Sequence, residues 1–117
     1  MSDPRPQVDT TDGPMVVGVR CRSCGHPMAT PRPVCAACGG PVEEARFGPV
    51  GTVYASTVVR IAVGERTPPY ALAYVDLDEG PRILAHVAGD ALSAPDVDSR
   101  VRLGEPQDGD VVMEVVA

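Results

Sequence analysis

The sequence contains no lysine, no asparagine and no tryptophan, and its 117 residues include a single phenylalanine and three tyrosines. All ten cations are therefore arginine, a bias that reads as the codon preference of a GC-rich genome. A formal net charge of −6 repels phosphate backbones unless the arginines cluster on one face. The shortage of aromatic rings also leaves few platforms on which bases could stack. Long apolar runs are missing too. A membrane-spanning helix needs about 20 residues, whereas Tyr70–Val75 is among the longest apolar stretches here. Met1–Pro14 carries Asp3, Asp9 and Asp12 where a signal peptide would need an apolar segment, so a cytoplasmic chain is expected. No stretch keeps a 3.6-residue period, which excludes a long helix. No phosphate loop, HExxH or dinucleotide fingerprint is present.

What the sequence does have is four cysteines in the pattern C-x2-C-x10-C-x2-C: Cys21, Cys24, Cys35 and Cys38. Cysteines two residues apart can place both sulfurs on one ion if the chain turns tightly behind them. Gly25 and Gly39, directly after each pair, accept the positive φ such a turn demands. Backbone N–H groups of the turn then point at the sulfurs, and two such knuckles close a tetrahedral Zn²⁺ site. The segment from Cys21 to Pro41 is rich in Gly, Pro and Cys and poor in core residues. Metal binding, which contributes on the order of 10–16 kcal/mol in small zinc peptides, would replace the missing core. Disulfides are rare in a reducing compartment. A rubredoxin-type iron site shares the ligand geometry but is usually wrapped in aromatic rings. Four thiolates leave no open position for catalysis, and they predict a structural metal. His26 then falls outside a filled coordination sphere.

The rest of the chain reads as strands. Met15–Arg20 is a short apolar run leading into the first knuckle. Gly51–Val63, rich in Thr, Val, Tyr and Ile, predicts one long, bulged strand. Glu65–Pro69 reads as a turn, Tyr70–Asp78 as a second strand, and Asp78-Glu79-Gly80-Pro81 as a tight turn into Arg82–Val87. Gly89–Asp98 is a connector with a helical turn at Asp90–Leu92. Arg100–Leu103 and Asp110–Val116 pair through the turn signal Asp108-Gly109. Five strands with a longer connector after the third suit a closed OB-fold barrel, with an SH3-like barrel as the rival. The expected class is mainly β: a disordered tail over 1–14, a small N-terminal zinc ribbon over 15–47, and a five-stranded OB-fold over 48–117.

Several of these segments are familiar together. Cys21-Arg22-Ser23-Cys24-Gly25, Pro31-Arg32-Pro33-Val34-Cys35, Gly48–Val59, Pro69–Val75 and Asp76–Leu84 resemble a domain-of-unknown-function family that joins a rubredoxin-like zinc ribbon to an OB-fold. That resemblance implies a non-catalytic accessory subunit of acyl-CoA (lipid or sterol-type) metabolism. Its expected partner is a thiolase-like enzyme, a thiolase-fold aldolase or a hydratase, with acyl-CoA itself as a further ligand. The short acidic tail and the stretch after Val87 depart from the family pattern.

The residues read alone agree that no catalytic constellation is present. Ile83, Ala85 and Val87 share one face of a strand and put His86 on the other, with no Ser, Lys or second Cys beside it in sequence. The alternative is a single-stranded nucleic-acid binder. It would draw on Tyr54, Tyr70, Tyr74 and Phe47, with Arg60, Arg66, Arg82, Arg100 and Arg102 along one face. Tyr54 and Tyr74 are expected in the core, and Tyr70, preceded by Pro68 and Pro69, is the candidate partner anchor.

Overall fold

The computed structural model describes residues 6–61, 67–88, 94–107 and 109–116. Among the described residues nine strands build two sheets. The N-terminal sheet centres on β2 (Met15–Cys21), flanked on one side by β1 (Gln7–Asp9) and β3 (Pro27–Met28), and on the other by β4 (Val42–Phe47). The second sheet is a barrel of β5 (Val50–Val59), β6 (Tyr70–Leu77), β7 (Arg82–Val87), β8 (Arg100–Leu103) and β9 (Val112–Val115).

The barrel closes in the order β5-β6-β7-β9-β8, with β7 and β9 parallel and every other pair antiparallel. Counted within the barrel this is 1-2-3-5-4, and the chain is an OB-fold. The expected strands fall where the β-branched runs lie. The bulge in the first occurs at Tyr54, where the register against β6 slips between Val53 and Ala55. Extra twist at such a bulge helps a long strand curve round a small barrel. The end of the expected first strand, part of the Glu65–Pro69 turn and the helical turn at Asp90–Leu92 lie outside the described residues.

Alternation along the strands sets the core. Ala71, Ala73, Val75 and Leu77 of β6 and Ile83 and Ala85 of β7 point inward with Val53, Val101, Leu103 and Met113. The inward positions flanking Tyr74 and Leu84 are taken by Ala73, Val75, Ile83 and Ala85, and the two-residue alternation turns Tyr74 and Leu84 outward. Tyr54 and Tyr74 are therefore not core residues, as the sequence suggested; they are 53% and 49% exposed.

Two features of the N-terminal sheet differ from the sequence reading. Gln7–Asp9, expected within a disordered tail, pairs with Met15–Val17 as β1. Three residues show no usable period; this strand exists because Val8 packs on the barrel core and the Asp9 carboxylate meets Arg46. Thr11, through its N–H and hydroxyl, and Arg46 hold the Asp9 carboxyl far below the usual carboxylate range. Secondly, the boundary placed after Phe47 runs through a shared core. Val16 and Phe47 are fully buried within the barrel's own apolar cluster. Arg20 spans the same junction, donating to the Glu79 carbonyl at 2.6 Å with its guanidinium over the Phe47 ring.

Candidate metal centre

Each cysteine pair straddles a tight turn, the first of them anchored by a sheet. Cys21 ends β2, paired with Val42 of β4, and its turn is closed by the Gly25 N–H donating to the Cys21 carbonyl at 3.1 Å. The second knuckle repeats this, Gly39 N–H to Cys35 carbonyl at 2.9 Å. Gly25 and Gly39 have φ of +79° and +75°, the left-handed backbone that their position after each pair foretells. The N–H groups of Ser23 and Cys24 lie 3.3 Å from Cys21 Sγ, and the Ala37 N–H is 3.3 Å from Cys35 Sγ.

These turns bring all four Sγ atoms within 4.8 Å of one another, the group able to hold a metal ion among the described residues. Cys21 and Cys38 sulfurs are 3.5 Å apart, and Cys24 and Cys35 sulfurs 3.7 Å. A tetrahedron with metal–sulfur bonds of about 2.3 Å has sulfur–sulfur edges of about 3.8 Å, so the cage has the right size. A disulfide would need about 2.05 Å. The chemistry of the donors points the same way. The Cys24 N–H is the main influence holding the Cys21 thiol down to about 6, against the cost of burial. At Cys38 the Gly40 N–H pulls downward, but crowding by Cys21 and Cys24 wins and pushes the thiol up to about 12. Four anionic sulfurs in this space need a cation among them.

The first cysteine of each knuckle is buried and the second exposed. Behind the site Val19, Cys21, Met28 and Cys35 form a small apolar cluster of their own, with Val42 against it. His26 is exposed and stands outside the cage. His86 lies on the outer face of β7, its Nε2 3.5 Å from Asp110 Oδ2 and its ring 5.4 Å from that of Tyr70. Tyr70, half-buried, is tied into that cluster. The more accessible anchors are Tyr74 and Leu84, side by side on β6 and β7. Leu84 was missed from sequence, although the parity that turns Ile83 and Ala85 inward already turns it outward.

Two arginines of the candidate basic face are each paired with a carboxylate. Arg82 forks onto Asp76 at 2.6 and 3.2 Å, and Arg100 onto Asp78 at 2.9 and 2.6 Å. Arg60 and Arg102 are exposed, and Arg66 lies outside the described residues.

Residues 44–104 match the family described as "ChsH2, C-terminal OB-fold domain". The chain belongs to this family. Two curated relatives of this ChsH2-type chain are each called "DUF35 domain-containing scaffold protein". The Methanocaldococcus jannaschii protein is 34% identical over 76 residues and the Pyrococcus furiosus protein 39% over 75. In both, the match covers 62% of this chain and 54% of the relative, so it spans about half the length of these relatives. Among solved structures, a chain of the "Ltp2-ChsH2(DUF35) aldolase" superposes with a TM-score of 0.71 at 25% identity, covering 88% of this chain and 86% of that one. A DUF35-family protein of unknown function from Sulfolobus solfataricus shares the fold, with a TM-score of 0.64 at 16% identity over 87% of this chain and 76% of that one.

Proposed function

We propose that this ChsH2-type chain is a non-catalytic accessory subunit that docks on a thiolase-fold, aldolase or hydratase enzyme of acyl-CoA metabolism. It acts in the cytoplasm and carries one structural Zn²⁺ on Cys21, Cys24, Cys35 and Cys38. The observation that carries this reading is the likeness across 88% of the chain to a chain of the "Ltp2-ChsH2(DUF35) aldolase". The scaffold-protein names of the relatives support it.

Zn²⁺ would serve here as a fixed point of the fold, because four thiolates fill its coordination sphere and leave no site for water or substrate. The chain's own residues do the rest. The two glycine turns aim N–H groups at the sulfurs, and Val19, Met28 and Val42 pack behind the cage. The freshly purified chain should contain about one zinc, and Cys35→Ser should contain less than half an equivalent. That variant should become protease-sensitive over residues 21–41 while the barrel stays folded, since the apolar cluster behind the cage, Val19, Cys21, Met28 and Cys35, is separate from the barrel core that Val16 and Phe47 join. Unchanged proteolysis would remove the structural role. The isolated chain should neither thiolyse, hydrate nor cleave acyl-CoA substrates, and turnover by it would contradict the accessory reading.

The exposure of Tyr54 and Tyr74 on an OB barrel gives the nucleic-acid alternative its aromatic half. Its basic half is missing around them, because Arg82 and Arg100 are each forked onto a carboxylate. Salt-sensitive binding of an oligonucleotide would favour that alternative over the accessory role.

A further inference from the structure

We propose that the outer face of β5–β7, centred on Tyr74 and Leu84, is the surface that seats on the partner enzyme, against a concave, apolar and non-acidic patch. This rests on the accessory-subunit reading and adds where the contact is made.

The register arranges the face in rungs. Asp76 stands opposite Arg82, Tyr74 opposite Leu84, and Leu72 opposite His86. The first rung is an ion pair, and the second sets an aromatic ring beside a leucine. The third joins Leu72 to a histidine that faces Asp110. Ala55 of β5 extends the second rung on the other side of Tyr74. An apolar centre with polar rungs at its margins is the anatomy of a protein interface. Tyr74 and Leu84 are 49% and 45% exposed, unusual for large residues on neighbouring strands. Two open hollows share Leu72 and Leu84: one of about 340 Å³ against Ala55 and Tyr74, and one of about 280 Å³ towards His86 and Pro6. Tyr54 adds a third anchor. The Arg82 guanidinium, held by Asp76, sits 3.5 Å from its ring centroid, so the ring is positioned before any partner arrives.

The same features select the occupant. The barrel is closed, so no strand edge is offered there and recognition falls to side chains. Arg82 and Arg100 at the rim are each paired with a carboxylate, so neither is left unmatched for phosphate. The hollows are open, whereas small-ligand sites bury most of their ligand. Three strands about 4.8 Å apart and three rungs about 7 Å apart make a patch of roughly 300 Å². A stable complex needs about 800 Å² per partner. A second copy, equally convex and equally charged at −6, would touch at this patch alone and be repelled. A larger protein with a concave surface can wrap past both rims and reach the required area.

The test uses the full chain and the acyl-CoA enzyme with which it co-elutes. Tyr74→Glu combined with Leu84→Glu should weaken that complex at least 100-fold. Val115→Glu, an equally exposed site on β9, should stay within about 3-fold. Zinc content and circular dichroism verify that the variants fold. Hydroxyl-radical oxidation of Tyr54 and Tyr74 in the unaltered complex, expected to fall at least 3-fold, gives an answer that needs no variant. If the unaltered chain binds while the double variant binds as well and the tyrosines stay reactive, this inference is overturned and the accessory reading stands. Absence of any co-eluting acyl-CoA enzyme overturns both. Self-association of the free chain with protected tyrosines, or salt-sensitive oligonucleotide binding lost in the double variant, assigns the face to another occupant and overturns the inference.

Discussion

Replacing Phe47 with alanine probes the junction of the cysteine ribbon and the barrel. Phe47 is the last residue of β4, yet its side chain is 3% exposed and belongs to the barrel's apolar cluster. Burying a phenyl side chain removes on the order of 150 Å² or more from water, about 4 kcal/mol at 25 cal/mol per Å². Phe→Ala substitutions in cores cost about 3–5 kcal/mol once the cavity is included. The Arg20 guanidinium, partly exposed over the ring, adds a contribution of about 0.5 kcal/mol. A loss of about 4 kcal/mol in a chain of this size lowers Tm by about 15 °C. Urea unfolding followed by far-ultraviolet circular dichroism and by metal release should move together, because ribbon and barrel share Val16 and Phe47. A shift below about 1 kcal/mol, or metal release that moves while the barrel transition stays put, would refute the shared core. Val34→Ala, at an exposed ribbon site, is the control and should change stability by less than about 0.5 kcal/mol.

Gly39→Ala should cost about 1 kcal/mol and weaken metal binding by about tenfold or less. No atom lies within 4 Å of the added methyl, so the cost is purely that of φ +75°; loss of metal binding altogether would show that another contact is involved. The Arg82 and Arg100 guanidiniums hold the Asp76 and Asp78 carboxyls below their ordinary 3.8. Carboxyls with folded values below their unfolded ones stabilise above about pH 4, and that stabilisation is lost as pH falls through the folded values. Asp76→Asn together with Asp78→Asn should therefore flatten the acid side of the stability profile, and an unchanged acid limb would assign that loss to other groups.

The clustering of the four cysteines was legible in advance because its information is local: two knuckles and two glycines fix turn, φ and donors within a few residues each. The barrel strands were legible for a similar reason, since β-branched runs and turn residues punctuate the chain. The Tyr54 bulge came with the unusual length of that run. What escaped depends on contacts between distant residues. β1 has three residues and β3 two, too short for any pattern, and both exist through pairing with β2. Phe47 joins the barrel core from beyond the expected boundary because the β6–β7 turn folds onto it, with the Gly80 Cα side open to its ring. The tyrosines were misplaced by size. Large aromatics suggest core, but Ala73, Val75, Ile83 and Ala85 take the inward positions beside them on β6 and β7, and the two-residue alternation turns Tyr74 and Leu84 outward. The proposed interface anchors therefore emerged from register rather than from composition.

Native mass spectrometry of the chain co-purified with its acyl-CoA enzyme tests the central claim most directly, because one spectrum reads both partner and metal. The account predicts a single particle containing enzyme subunits and this chain, with one zinc for each copy of the chain. Separate masses for the two proteins at micromolar concentration, with the enzyme soluble and fully active alone, would contradict it.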